Sequence, residues 1–91
     1  MAAVHEEELF HPTQASRVRL RVFEQLPGGH DVAGLGPHQA GFLVTEERIG
    51  ARTVFATLGY DPTREEAVQR VRERAAQLVS QQYRPQAPPA A

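Results

Sequence analysis

Residues 17–22 read Arg, Val, Arg, Leu, Arg, Val. This strict alternation has the period of a strand with one buried face. Val18, Leu20 and Val22 point one way; Arg17, Arg19, Arg21 and Phe23 point the other. A turn follows at 26–30, where Pro27 sets its φ ahead of Gly28 and Gly29. Residues 30–41 carry Gly34, Gly36, Pro37 and Gly41 and read as a loop or bulged connection, with a short strand at 31–33 as the alternative. Residues 40–45 read as the next strand, 46–51 as a polar turn centred on Gly50, and 52–59 as a strand rich in Thr, Val and Phe. The last two strands are expected to form a hairpin.

The period then changes. Thr63 stands where a helix N-cap belongs and Glu66 follows three residues on, the spacing of a capping box. Glu65 and Glu66 fall in the first turn, where the helix dipole favours anions. Val68, Val71, Ala75 and Leu78, flanked by Ala67 and Val79, form one apolar stripe. The helix is expected to end near Gln82, before Tyr83 and Pro85. Together these elements predict an α+β fold: an antiparallel sheet of three to four strands followed by one C-terminal helix packed on one face, in two layers. The sheet offers the helix Val18, Leu20, Val22, Phe42, Val44, Val54, Ala56 and Leu58. That is a thin core for one chain, and self-association through the open face or a strand edge would add to it.

At 91 residues the chain holds one domain. The expected organisation is a flexible acidic arm at 1–15, with at most a short strand or turn at 8–10, the α+β domain at 16–83 and a disordered Pro/Ala tail at 84–91. Composition removes several kinds of chemistry. Without Cys there is no disulfide framework, thiolate metal site or cysteine nucleophile. Without Lys there is no Schiff base and no P-loop lysine. No apolar run approaches the roughly 20 residues of a membrane span, and no signal-peptide pattern is present, so the expectation is a cytoplasmic protein with no membrane partner. All ten basic residues are Arg, Asn is absent and Ile occurs once, at Ile49. That bias points to a GC-rich bacterial genome, and it weakens any argument that Arg was selected over Lys.

The net charge of −1 supplies no bulk attraction to nucleic acid or anionic lipid. Its distribution matters more. Glu6, Glu7 and Glu8 precede the basic strand of Arg17, Arg19 and Arg21, so the two segments are able to pair. If they do not, Arg17, Arg19, Arg21, Phe23, Arg52 and Phe55 form a partner or nucleic-acid face, with aromatics to stack on bases and guanidiniums to hold phosphates. No RNP-type motif accompanies them. The element order resembles plant-type domains that lay a three-stranded sheet in the DNA major groove, in order alone.

Other candidate chemistry is sparse. His5, His11, His30 and His38 fit no metal-ligand spacing and are expected at the surface. Residues 34–41 are not a phosphate loop, because the third Gly is late, Pro37 removes an amide donor and a strand follows. The carboxylates at 6–8 and 46–47 read as solvated charge, and Asp61 as part of the helix start. Ser16 and Ser80 lack a nucleophile motif. No cofactor or metal is expected, and no catalytic set assembles. Residues 60–68 resemble the strand–cap–helix junction of small bacterial sheet-and-helix families, HicB-type antitoxins among them. The second extension typical of those antitoxins is missing, and capping physics alone produces the junction, so no activity is carried over. The expected function is a non-catalytic interaction module, self-associating or bound to a protein partner. Nucleic-acid binding is the alternative, and an accessory subunit of an enzyme the third.

Overall fold

The computed structural model describes residues 2–25 and 40–89. Four strands precede one helix: β1 His5–Phe10, β2 Arg17–Gln25, β3 Gly41–Ile49, β4 Val54–Asp61 and α1 Arg64–Ser80. The strands form an antiparallel sheet in chain order, β1-β2-β3-β4, and the helix packs on one face. The expected α+β two-layer fold is therefore the observed one. The 26–30 turn, the alternative strand at 31–33, His30, His38 and most of the Gly-rich segment lie outside the described residues.

The alternation in β2 sorts its side chains as expected: Val18, Leu20 and Val22 are fully buried. Leu9, Val44, Ala67, Val71, Leu78 and Tyr83 complete the core, with Val4, Phe42, Leu58 and Ala75 packed around it. The helix starts as read. Thr63 Oγ1 accepts from the Glu66 backbone N–H at 3.3 Å. The Glu66 carboxylate accepts from the Thr63 hydroxyl at 3.0 Å, in place of reaching back to a backbone donor.

The helix ends two residues earlier than expected. Gln82 takes a left-handed φ of 77°, which lets the Tyr83 N–H reach Leu78 O and the Gln82 N–H reach Val79 O, both at 3.0 Å. This is a Schellman ending, with the buried Tyr83 and Leu78 as its accompanying apolar pair. The chain then makes one bridge to the sheet: the Phe10 N–H donates to Arg84 O at 2.7 Å and the Arg84 N–H to Phe10 O at 2.8 Å.

Three expectations change. The acidic segment 1–15 contains a six-residue edge strand, β1, because Leu9 reaches the core on one side while Glu6 and Glu8 meet Arg partners on the other. β3 runs on through 46–49 instead of turning, because Glu46 is neutralised by Arg74 from the helix and can be buried. Val54 and Ala56 face the helix layer but are exposed. The reason is the helix direction. Its first half meets β4 through Arg70 and Asp61, while Ala75, Ala76 and Val79 line a cleft with Glu7, Glu8 and Leu9 of β1. The helix thus crosses the sheet obliquely and leaves the first half of β4 uncovered.

Candidate functional site: the open face and the free edge

Cross-strand register builds the face opposite the helix in rows. Glu8, Arg19, Glu47 and Phe55 stand opposite one another across all four strands. Glu6, Arg21, Thr45 and Thr57 form the next row, and Phe23, Leu43 and Tyr60 the one after. The sheet therefore does bring Arg17, Arg19, Arg21, Phe23 and Phe55 onto one face. It also brings their carboxylates.

Arg19 Nε lies 3.1 Å from Glu8 and 3.3 Å from Glu6, and its Nη1 is 3.5 Å from Glu47. Arg21 Nη2 reaches Glu47 at 3.1 Å, and Arg17 reaches Glu8 at 3.6 Å. Three guanidiniums thus meet three carboxylates. The Glu8 hydrogen bond raises the Arg19 pKa further above its ordinary value, with Glu6 and Glu47 adding to it against the cost of burial. Arg21 also stacks over Phe23, 5.4 Å from the ring centroid. Glu6, Glu8 and Glu47, read from sequence as solvated charge, are partners here. The signal was available: acids at every second position of β1 facing Arg at every second position of β2. Tyr60 leans across the neighbouring strand, and a Cβ at Gly41 would lie 2.6 Å from its ring.

Arg52 stands apart. It is exposed in the β3–β4 turn and makes no ion pair among the described residues. Phe55 is 61% exposed and Val54 50% exposed, on opposite faces of the same strand. The described residues 2–15 do not cover Phe55. Val54, Phe55, Ala56 and Thr57 are all exposed, and no strand or bridge pairs with the outer edge of β4 among the described residues. Sequence reading assigned Val54 and Ala56 to the core, since alternation reports the face and not how far the helix reaches.

The second half of β4 is held differently. A register shift between Val44 and Thr45 makes Leu58 the extra residue of a bulge and turns Gly59 and Asp61 toward the helix. Arg70 donates two 2.8 Å hydrogen bonds to the buried Asp61 carboxylate. These bonds, with the guanidinium charge, hold the Asp61 pKa below the usual carboxylate range despite its burial. A Cβ at Gly59 would come within 2.6 Å of Arg70 Nε, so only glycine lets this side chain lie across the strand.

His11, expected at the surface, is buried. Its Nδ1 accepts from the Thr13 and Gln14 N–H groups at 3.2 and 3.0 Å, and its ring meets Tyr83 edge-on at 5.3 Å. Ser16 Oγ lies 3.3 Å from Tyr83 Oη. A shallow cleft of about 310 Å³ opens beside them, lined by Phe10, Gln14, Ile49 and Pro88 among others. With His11 Nδ1 committed to the backbone and Ser16 facing a phenol, the group builds a β1–β2 turn and not a nucleophile–base pair. His5 Nε2 pairs with Glu7 at 2.8 Å. Among the described residues no cluster has the makings of a metal site, and no helix is long and apolar enough to cross a membrane. Comparison with known proteins finds no matching family model, no matching curated protein and no matching solved structure.

Proposed function

We propose that the protein is a non-catalytic interaction module that docks its partner by strand addition at the free edge of β4. The observation that carries this reading is the run of four exposed residues from Val54 to Thr57, uncharged and, among the described residues, unpaired along its outer edge. An unpaired row of N–H and C=O groups beside exposed apolar side chains is a template for another strand. Backbone hydrogen bonds supply affinity in this mode, and Val54 and Phe55 offer one apolar contact on each face. The same mode would serve an accessory subunit bound to an enzyme.

The nucleic-acid reading has less support. Arg17, Arg19 and Arg21 each lie within ion-pair distance of a carboxylate, and phosphate would have to displace it. Peptide selection separates the two readings. Random extended peptides displayed against the immobilised chain should yield uncharged, alternating binders, lost in Val54→Lys and Phe55→Lys and retained in Arg17/Arg19/Arg21→Gln. Binders indifferent to β4, or oligonucleotide binding that weakens steeply between about 50 and 200 mM salt and is lost in the arginine variant, would overturn the reading.

A further inference from the structure

Resting on strand addition at β4, we infer that the added strand is β4 of a second copy, antiparallel, with Phe55 on the twofold axis. Thr53, Val54, Phe55, Ala56 and Thr57 read nearly alike in both directions. Antiparallel self-pairing about Phe55 sets Phe55 opposite Phe55, Val54 opposite Ala56, and Thr53 opposite Thr57. Aromatic pairs and Thr–Thr pairs are among the favourable cross-strand contacts. A twofold axis through the sheet keeps faces together. Phe55 and Thr57 of both copies share the open face, Val54 and Ala56 share the helix side, and the four-stranded sheet is doubled.

The flanks fit this register. The bulge at Leu58 ends the straight run just beyond Thr57. No charged residue lies between Arg52 and Asp61. The two Arg52 side chains fall at opposite ends of the paired segment, about 20 Å apart at ~3.4 Å per residue. That exceeds the screening length of roughly 8 Å at physiological salt, so they do not repel appreciably.

The opposite edge decides that the partner is an identical edge and that growth stops at two. A head-to-tail pairing of β4 with β1 of the next copy would propagate without closing. β1 carries Glu6, Glu7 and Glu8, and its far end is already bridged to Arg84, with Pro85 next in the chain. Among the described residues only the β4 edge remains to meet β4. A five-residue overlap buries far less than the ~1,200 Å² of a standard interface, which places the dimer in the weak, transient class.

The test is sedimentation velocity on the full chain from low-micromolar to near-millimolar concentration. The expected result is a reversible shift to twice the chain mass, weakened at least tenfold by Phe55→Lys with the circular dichroism unchanged. Because the chain has no Cys, single-Cys variants report the register. Phe55→Cys should oxidise to a disulfide dimer. Val54→Cys and Ala56→Cys should each resist alone and cross-link when mixed, since only directly opposed Cα atoms fall within the ~7 Å limit. A monomer at every concentration, a dimer untouched by Phe55→Lys, or Val54→Cys cross-linking as readily as Phe55→Cys would each overturn the inference. If the chain stays monomeric while selected peptides still bind at β4, self-pairing fails and strand addition stands. If neither occurs, both fail.

Discussion

The two outer strands of this sheet are guarded in opposite ways. β1 carries three consecutive acids, pairs Glu6 and Glu8 with Arg17 and Arg19, and is bridged at Phe10 by Arg84. The first half of β4 carries no charge and, among the described residues, no bridge and no helix above it. Charge and coverage are the usual means of blunting an edge. One edge has both and the other has neither. The unequal protection is the observation on which the proposed strand addition at the bare edge rests, with the guarded edge as what would limit the outcome.

Removing the cover from β1 should have the largest effect. Tyr83 is buried against the core and directs the chain back to Phe10. Tyr83→Ala should cost about 3 kcal/mol in urea unfolding, in line with large-to-small core changes. It should also speed hydrogen exchange at the Phe10 and Arg84 amides. Unchanged exchange there would mean that the tail is not held through Tyr83.

The contrast within β4 can be tested next. The Arg70–Asp61 clamp separates the covered half of that strand from the bare half. Asp61→Asn should cost about 1–2 kcal/mol near neutral pH, since Arg70 is itself partly exposed. The sign with pH follows from the lowered pKa of Asp61 in the folded state. Its stabilisation is complete above the unfolded value of about 3.9 and is lost as pH falls through the folded value. The variant should therefore show a shallower loss of stability between neutral pH and strong acid than the parent. Parallel acid profiles would place the acid sensitivity elsewhere.

Making β1 resemble β4 is a subtler change in stability with a visible consequence. Replacing Glu6, Glu7 and Glu8 together by Thr should change stability by no more than about 1 kcal/mol, because partly exposed ion pairs contribute little. Light scattering, however, should grow with concentration, as β4-to-β1 contacts no longer meet charge and can propagate. A variant as soluble as the parent would assign the guarding to Arg84 instead. The smallest expected effect is at the helix end. Gln82→Gly should stabilise by about 0.5–1 kcal/mol by relieving its left-handed backbone, sharpening the cover over β1 without touching β4.

Much of the fold was legible along the chain because its signals are local. The alternation of Val18, Leu20 and Val22 and the Thr63 cap with its helical stripe each depend on neighbours within a turn or two. Burial of Glu46, His11 and Asp61 was not legible. Each is tolerated only because a distant group reaches it: Arg74 for Glu46, Arg70 for Asp61, and the packing of Tyr83 for His11. Of the candidate face, the grouping of Arg17, Arg19, Arg21, Phe23 and Phe55 was readable from strand parity. Its neutralisation depended on the registers that bring Glu6 and Glu8 of β1 and Glu47 of β3 against the arginines of β2.

What the amino-acid sequence alone determined was which residues share a face, because side-chain parity follows from backbone geometry. It also determined the two-layer class, because one apolar stripe needs one apolar sheet face. The tertiary structure decided how far the cover extends. The helix axis is set by where Asp61 clamps Arg70 at one end and where Leu78 and Tyr83 lock at the other. A line between those points passes clear of Val54 and Ala56. Their exposure is thus a property of helix direction, which sums many weak long-range contacts and leaves no periodic trace in the chain.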